Sequence, residues 1–229
     1  AQVGDGATVT ARSLRVQVGD LDASAPATRN TSAVLSGGTG GIAAVTNLKA
    51  EATITGSAAA RIGNATITTT QATIVNAHVV QNAIATTVAG SGGFVDVSTL
   101  TAIAQIGTTG TAAPVSAVAD EGADLTVGSL SITATGESNA LATMDSSGGG
   151  AITVSTGESN TLVNTSVIAR LGPAGAATLP LSGRTTVSST GDITITATGS
   201  QFAKSTSDRA GGGAISVSDL NAKATVLGS

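Results

Sequence analysis

Apolar and polar positions alternate with period two along much of this chain. In DITITATG at 192–199, Ile193, Ile195 and Ala197 share one face, and Thr194, Thr196 and Thr198 share the other. In GGAISVS at 212–218, Ile215 and Val217 lie opposite Ala214, Ser216 and Ser218. Such alternation predicts strands with one buried face, the apolar stripes filling the core. Helical spacing of apolar residues is hard to find, and the density of β-branched residues argues against helices. The pattern predicts an all-β protein with almost no helix.

The strands recur. GGGAISVS at 211–218 is nearly repeated as GGGAITVS at 148–155, and more loosely as SGGFVDVS at 91–98 and TGGIAAVT at 39–46. A second punctuation mark is Ala, any residue, an aliphatic residue, Gly: AQVG at 1–4, ARIG at 60–63, AQIG at 104–107 and ARLG at 169–172, with ATVLG closing the chain at 224–228. These marks predict a single continuous unit spanning 1–229, built of four irregular repeats at about 1–59, 60–103, 104–168 and 169–229. Short strands, glycine-marked corners and repeats fit a right-handed parallel β-helix, or β-solenoid. There each winding buries its apolar face only by stacking on its neighbours. At roughly 20–25 residues per winding the chain would make about ten coils, a rod roughly 45–50 Å long. Glycine runs would occupy tight corners, where positive φ or close backbone approach is needed. The competing architecture, a string of antiparallel sandwiches, is disfavoured: Asp5–Gly6 is the sole hairpin-type pair and aromatics are scarce.

Composition narrows the core. The chain has 229 residues with 30 Gly, no Cys, no Trp, no Tyr and two Phe. Without aromatics a wide core is hard to fill to native density, whereas a core one or two side chains across suits Ala, Val, Ile and Leu. Abundant Val, Ile and Thr with only 10% charged residues argue against global disorder. Net charge is −4, and the ten Lys and Arg are scattered singly, so nucleic acid is not an expected partner. No apolar run is long enough for a membrane helix.

The segments AQVGDGATVTARSLRVQV at 1–18 and ADLTVGSLSITATGESNALATMDSSGGGAITVS at 123–155 resemble the repeats of giant bacterial filamentous adhesins. These include the leukotoxin-like filamentous adhesins and, more distantly, the filamentous haemagglutinin group exported by two-partner secretion. The resemblance covers essentially the whole chain. It implies a structural shaft or adhesive module of a fibre on the bacterial cell surface, in biofilm or cell adhesion. Its partners would be neighbouring copies or other segments of one long chain, and a glycan or host surface. Stretches 108–122 and 173–183, holding Pro114, Pro173 and Pro180, depart from the pattern and are expected to loop off the shaft.

Candidate chemistry is sparse. His78, the single histidine, reads as a surface strand residue in TIVNAHVVQ, with Asn76 and Val80 on its face. It has no cysteine or acid in metal-site spacing and no orienting acid for a triad. Asp120, Glu121 and Asp124 form the one acidic cluster and read as a solvated loop, or at most a weak cation contact. Glu137 and Glu158 recur in TGESN segments at 135–139 and 156–160, which read as a glycine corner followed by a polar turn. No carboxylate pair is placed for glycoside chemistry. SGGTGG at 36–41 and AGGGA at 210–214 lack the Lys-Ser or Lys-Thr and the helix of a phosphate loop. No catalytic, metal or cofactor-binding residue is therefore expected, and no cofactor. Threonine arrays at 8–10, 66–70 and 194–199 leave a glycan- or ice-binding face as the alternative. Against ice stand the unequal repeat intervals, since ice-binding solenoids keep T-x-T in strict register.

Overall fold

The computed structural model describes residues 1–19, 25–174 and 184–228. The expected loop at 173–183 falls almost wholly outside them. No helix occurs among the described residues, and every strand ladder is parallel. The strands stack in four layers that follow chain order. The first layer holds β1 (Gln2–Val3), β2 (Thr8–Ala11), β3 (Leu14–Val18) and β4 (Ala27–Ile54). The second holds β5 (Ala58–Ile62), β6 (Thr66–Thr69) and β7 (Ala72–Ile106). The third holds β8 (Val115–Ala119), β9 (Asp124–Val127), β10 (Ser129–Gly149) and β11 (Ile152–Asn164). The fourth holds β12 (Val167–Leu171), β13 (Thr186–Ser189), β14 (Ile193–Gly212) and β15 (Ile215–Leu227).

Four layers replace the expected ten windings. Side chains that touch across the second and third layers are 57 residues apart, as Ser98 and Ser155 are. At about 4.8 Å per layer the stack is only roughly 14 Å deep, so its length goes into each layer instead of along a rod. The short-winding estimate failed because each layer's long strands reverse only once, at the tip glycines, and run far on either side of that reversal. The sequence mark A-x-aliphatic-G also proves to stand at two places. Gly63 and Gly172 follow the first strand of their layers, where Gly63 N–H donates to Val3 and Gly172 N–H to Ala119. Gly107 closes a layer instead, its N–H donating to Ile54. Residue 104 therefore does not open a layer; Ala58, Val115 and Val167 share one column near the openings. The segment 108–122 is likewise not a loop throughout. Its residues Val115–Ala119 are β8, buried between β5 and β12, and Pro114 sits just before the strand, its carbonyl accepting from Ala58 N–H.

Each layer has a body and an arm. In the body, the sheet β1-β5-β8-β12, the sheet β2-β6-β9-β13 and the start of the long strands enclose Ile62, Ile67, Val75, Leu125, Leu130 and Ile132, all essentially inaccessible. Three walls leave a space wide enough for branched aliphatic side chains, each worth about 1.5–3 kcal/mol on burial. In the arm, the long strands run out to the glycines and return, leaving two walls face to face. The space between them is thin. Thr87 on the outgoing wall donates its hydroxyl to the Thr101 carbonyl on the return wall at 3.0 Å, and the shared core there is alanine: Ala83, Ala85, Ala102, Ala104, Ala140 and Ala142.

Towards the tip the polarity of the wall inverts. The inward column is Ala44, Asp96, Thr153 and Ser216, and next to it Thr46, Ser98, Ser155 and Ser218. Thr153 is 0% and Ser155 3% exposed. The outward columns are aliphatic: Val45, Val97, Val154 and Val217, beside Val95, Ile152 and Ile215. Val45 is 71% exposed between Ala44 and Thr46 at 2% and 5%, and in the covered third layer Val154 is part-exposed between buried Thr153 and Ser155. The expectation that Ile215 and Val217 mark the buried face is thus corrected. Small hydroxyls fit the narrow space and bond to one another, as Ser98 does to Ser155 at 2.9 Å and Thr39 to Thr46 at 2.9 Å; branched chains on both walls would not fit.

The tip explains the recurring glycines. A Cβ built on Gly93 would meet the Gly41 carbonyl at 2.4 Å, one on Gly150 the Gly93 carbonyl at 2.3 Å, and one on Gly213 the Gly150 carbonyl at 2.4 Å. Each glycine is demanded by the backbone of the layer before it. Positive φ is needed at Gly41 alone in this column, so close approach is the general reason.

Candidate functional site

The acidic cluster is taken apart by the fold. Asp120 follows β8 and is half-buried, whereas Glu121 and Asp124 are exposed. Asp124 faces outward on β9 and accepts the Thr186 hydroxyl at 2.9 Å. The Asp120 carboxylate is held by the Arg61 guanidinium of the layer before, through Nε and Oδ2, and by Arg170 of the layer after, at 2.8 Å. Arg61 also reaches Asp5 of the first layer at 3.7 Å. The hydrogen bond to Asp120, and then that carboxylate's charge, hold the Arg61 guanidinium above its ordinary value. Asp5 in turn accepts from the Asn64 backbone N–H at 2.9 Å. The result is a column of alternating sign, Asp5, Arg61, Asp120, Arg170, along a groove of about 540 Å³ on one corner of the body. A carboxylate already bracketed by two guanidiniums has few lone pairs left for a cation, so the weak cation contact expected at Asp120 is not favoured by its surroundings. Among the described residues no group of three His, Cys, Asp or Glu converges for a metal.

The other singled-out residues stand apart. His78 is half-buried on the outward face of β7, with Val75, Ala77 and Val79 fully buried on the other side, as the alternation predicts. Glu137 and Glu158 are both exposed, on the outgoing and return walls. Their TGESN segments lie inside strands and are not corners. Gly136 and Gly157 take inward positions where a Cβ would strike Val167 at 2.8 Å and Met144 at 2.3 Å. The runs SGGTGG and AGGGA belong to the arm tip, where the glycine column accounts for them.

Three features escaped sequence reasoning. The charge column joins residues 59 and 50 apart. An asparagine ladder runs across three layers: Asn82 donates to Asn30 at 2.8 Å and Asn139 to Asn82 at 3.0 Å, and Phe202 occupies the same column in the fourth. A buried carboxylate, Asp96, sits inside the arm at 1% exposure; Oδ2 accepts the Ser91 hydroxyl at 2.5 Å, and Oδ1 has no partner. Exposed threonines also line up. Thr8, Thr66, Asp124 and Thr186 form one outward column, and Thr10, Thr68, Thr126 and Ser188 the next. No protein-family model, no curated protein and no solved structure matches this chain.

Proposed function

We propose that the chain is a shaft segment of an extracellular bacterial surface or fibre-forming protein, with a mechanical and adhesive role and no catalysis. The winding is a right-handed β-solenoid, the hand that parallel crossovers adopt almost without exception. The observation that carries this reading is the recurrent stacking of like on like, which Phe202 interrupts in the asparagine column of the fourth layer. Glycine stands on glycine at the tip, asparagine on asparagine along the arm, and every ladder is parallel. Such an object resists bending because each layer is bonded to its neighbours along its strands. The repeats' resemblance to filamentous adhesins agrees with it. The experiment is immunogold labelling of intact cells of the source bacterium with an antibody against this chain. Gold on filaments outside the cell is expected; gold confined to the interior sinks the proposal.

A second reading is favoured by one observation. The outward pairs of β2, β6, β9 and β13 keep register across all four layers, as Thr-x-Thr in the first two, Asp124-x-Thr126 in the third and Thr186-x-Ser188 in the fourth. The unequal repeat intervals therefore do not disturb this face, and the objection drawn from them does not apply to it. A flat hydroxyl face of this kind would order water or bind glycan. Thr66→Lys with Thr68→Lys should abolish retention on glycan columns or inhibition of ice recrystallisation; unchanged behaviour removes the reading.

A further inference from the structure

We infer that the tip of the arm seats in the surface of a zwitterionic lipid bilayer, without spanning it, through Phe94 and the outward aliphatic columns of the return wall. This rests on the shaft reading and names the surface to which its adhesive role attaches. The second and third layers, each covered above and below, carry the feature without help from either end of the stack. Phe94 is one of two aromatic residues in the chain, and it lies 63% exposed at the reversal of the second layer. Beside it Val95 and Val97 of the second layer share outward columns with Ile152 and Val154 of the third, and all four are part-exposed.

Polarity points to lipid. Behind the aliphatic columns stand Asp96, Ser98, Thr153 and Ser155, all buried. Apolar outside with polar inside is the order of strands that face lipid, and the reverse of a sheet that faces water. The polar interior is partnered from within, as Ser98 donates to Ser155 at 2.9 Å. Ladder pairing also continues close to the reversal, Gly92 with Gly149 and Val95 with Ile152. The strands therefore meet lipid with their backbone groups already bonded between layers, as an apolar medium requires.

Charge selects the kind of lipid. Along β7 the single Asp, Glu, Lys or Arg is Asp96, and it is buried. In the third layer no charged residue lies between Asp145 on the outgoing wall and Glu158 on the return wall, both exposed. The tip of these layers is a neutral cap bounded by acids, about 15 Å deep from Asp145 to Gly150. Seating by about 5–10 Å at the headgroup boundary takes in Phe94, Val95 and Ile152 and leaves the acids in water. A neutral surface matches this cap, whereas an anionic one repels its rim. A second copy is a poor occupant. The apolar ridge covers on the order of 150 Å² over four layers, against the roughly 800 Å² that each side of a stable pair buries.

Flotation of the whole chain with phosphatidylcholine vesicles tests this. The wild type should float with them. Phe94→Ser combined with Val154→Thr, both at outward positions, should keep the far-ultraviolet circular dichroism and lower the partition coefficient about tenfold. Replacing part of the lipid by phosphatidylglycerol should weaken binding of the wild type. The chain has no tryptophan, so Phe94→Trp makes a sole reporter. Its emission should shift to the blue on the vesicles and be quenched by bromine on the acyl chains. A wild type that does not float overturns the inference, as do binding undiminished in the double variant, a preference for phosphatidylglycerol, and a reporter neither shifted nor quenched. Retention on cells that protease treatment abolishes, with no vesicle binding, assigns the tip to a protein partner and overturns it too. If vesicle binding fails while immunogold finds the chain on external filaments, the shaft reading survives that failure.

Discussion

The body and the arm are built by the same strands, yet they obey opposite rules. In the body, three walls enclose branched aliphatic residues such as Ile67, Leu125 and Ile132, and most outward positions, such as Thr66, Thr68 and Thr133, are polar. At the arm tip, two walls enclose hydroxyls, and Val154 and Val217 point to solvent. One strand passes from one regime to the other: β7 buries Val75 near its start and Ser98 past the tip. The difference teaches that alternation reports which residues share a face, while the width of the enclosed space decides which face is inside.

The largest expected effect tests the body. Ile132→Ala should cost about 2–5 kcal/mol, as large-to-small core changes do, and should do so globally. Urea unfolding followed by circular dichroism measures it; a loss under about 1 kcal/mol would mean the body is not the stabilising part. Next comes the arm's own packing. In its third layer Met144 and Gly157 hold the columns that Thr87 and Leu100 hold in the second, and a Cβ on Gly157 would strike Met144 at 2.3 Å. A large residue on one wall faces a small one on the other. Gly157→Leu alone should cost about 1–3 kcal/mol by overpacking. Adding Met144→Thr should recover part of it, with a coupling of about 0.5–3 kcal/mol in a double-mutant cycle. Strict additivity would show that the two walls do not touch there.

A smaller effect, of opposite sign, probes the hydroxyl interior. Asp96 shares its column with Ala44, Thr153 and Ser216 and leaves one oxygen unpartnered. Asp96→Thr should stabilise by about 1 kcal/mol, because a buried unsatisfied polar atom is removed and an acceptor for Ser91 is kept. A fall in melting temperature would mean that the carboxylate has an unrecognised partner. The smallest effect is the most telling for the inversion. Val154→Thr, outward on the return wall, should change stability by no more than about 0.5 kcal/mol. A loss of core size, about 2 kcal/mol or more, would restore the orientation that the aliphatic pattern first suggests.

Much of the body was legible because its pattern and its geometry agree. Ile193, Ile195 and Ala197 do share the inward columns of Leu130, Ile132 and Ala134. The absence of helix among the described residues followed from the same periodicity. The tip was not legible, since Ile215 and Ser216 alternate equally well with either one inside; a one-place change of face leaves period two intact. Layer size was hidden because the glycine runs mark only one reversal in each layer, at the arm tip, and nothing local shows how much chain lies between one reversal and the next. The charge column was hidden because its members meet only after a full layer has been wound: Arg61 and Asp120 carry no local signal that they pair.

One offset in the stacking has a practical consequence. From Val18 to Ala27 the first layer advances nine residues, while the second advances two, from Ala77 to Val79, and the columns resume unchanged on both sides. Extra chain is therefore admitted at that point at no cost to alignment, which makes it the natural place to splice in a foreign epitope or a binding peptide. The same addition within the arm would push every later residue out of line with the glycine column.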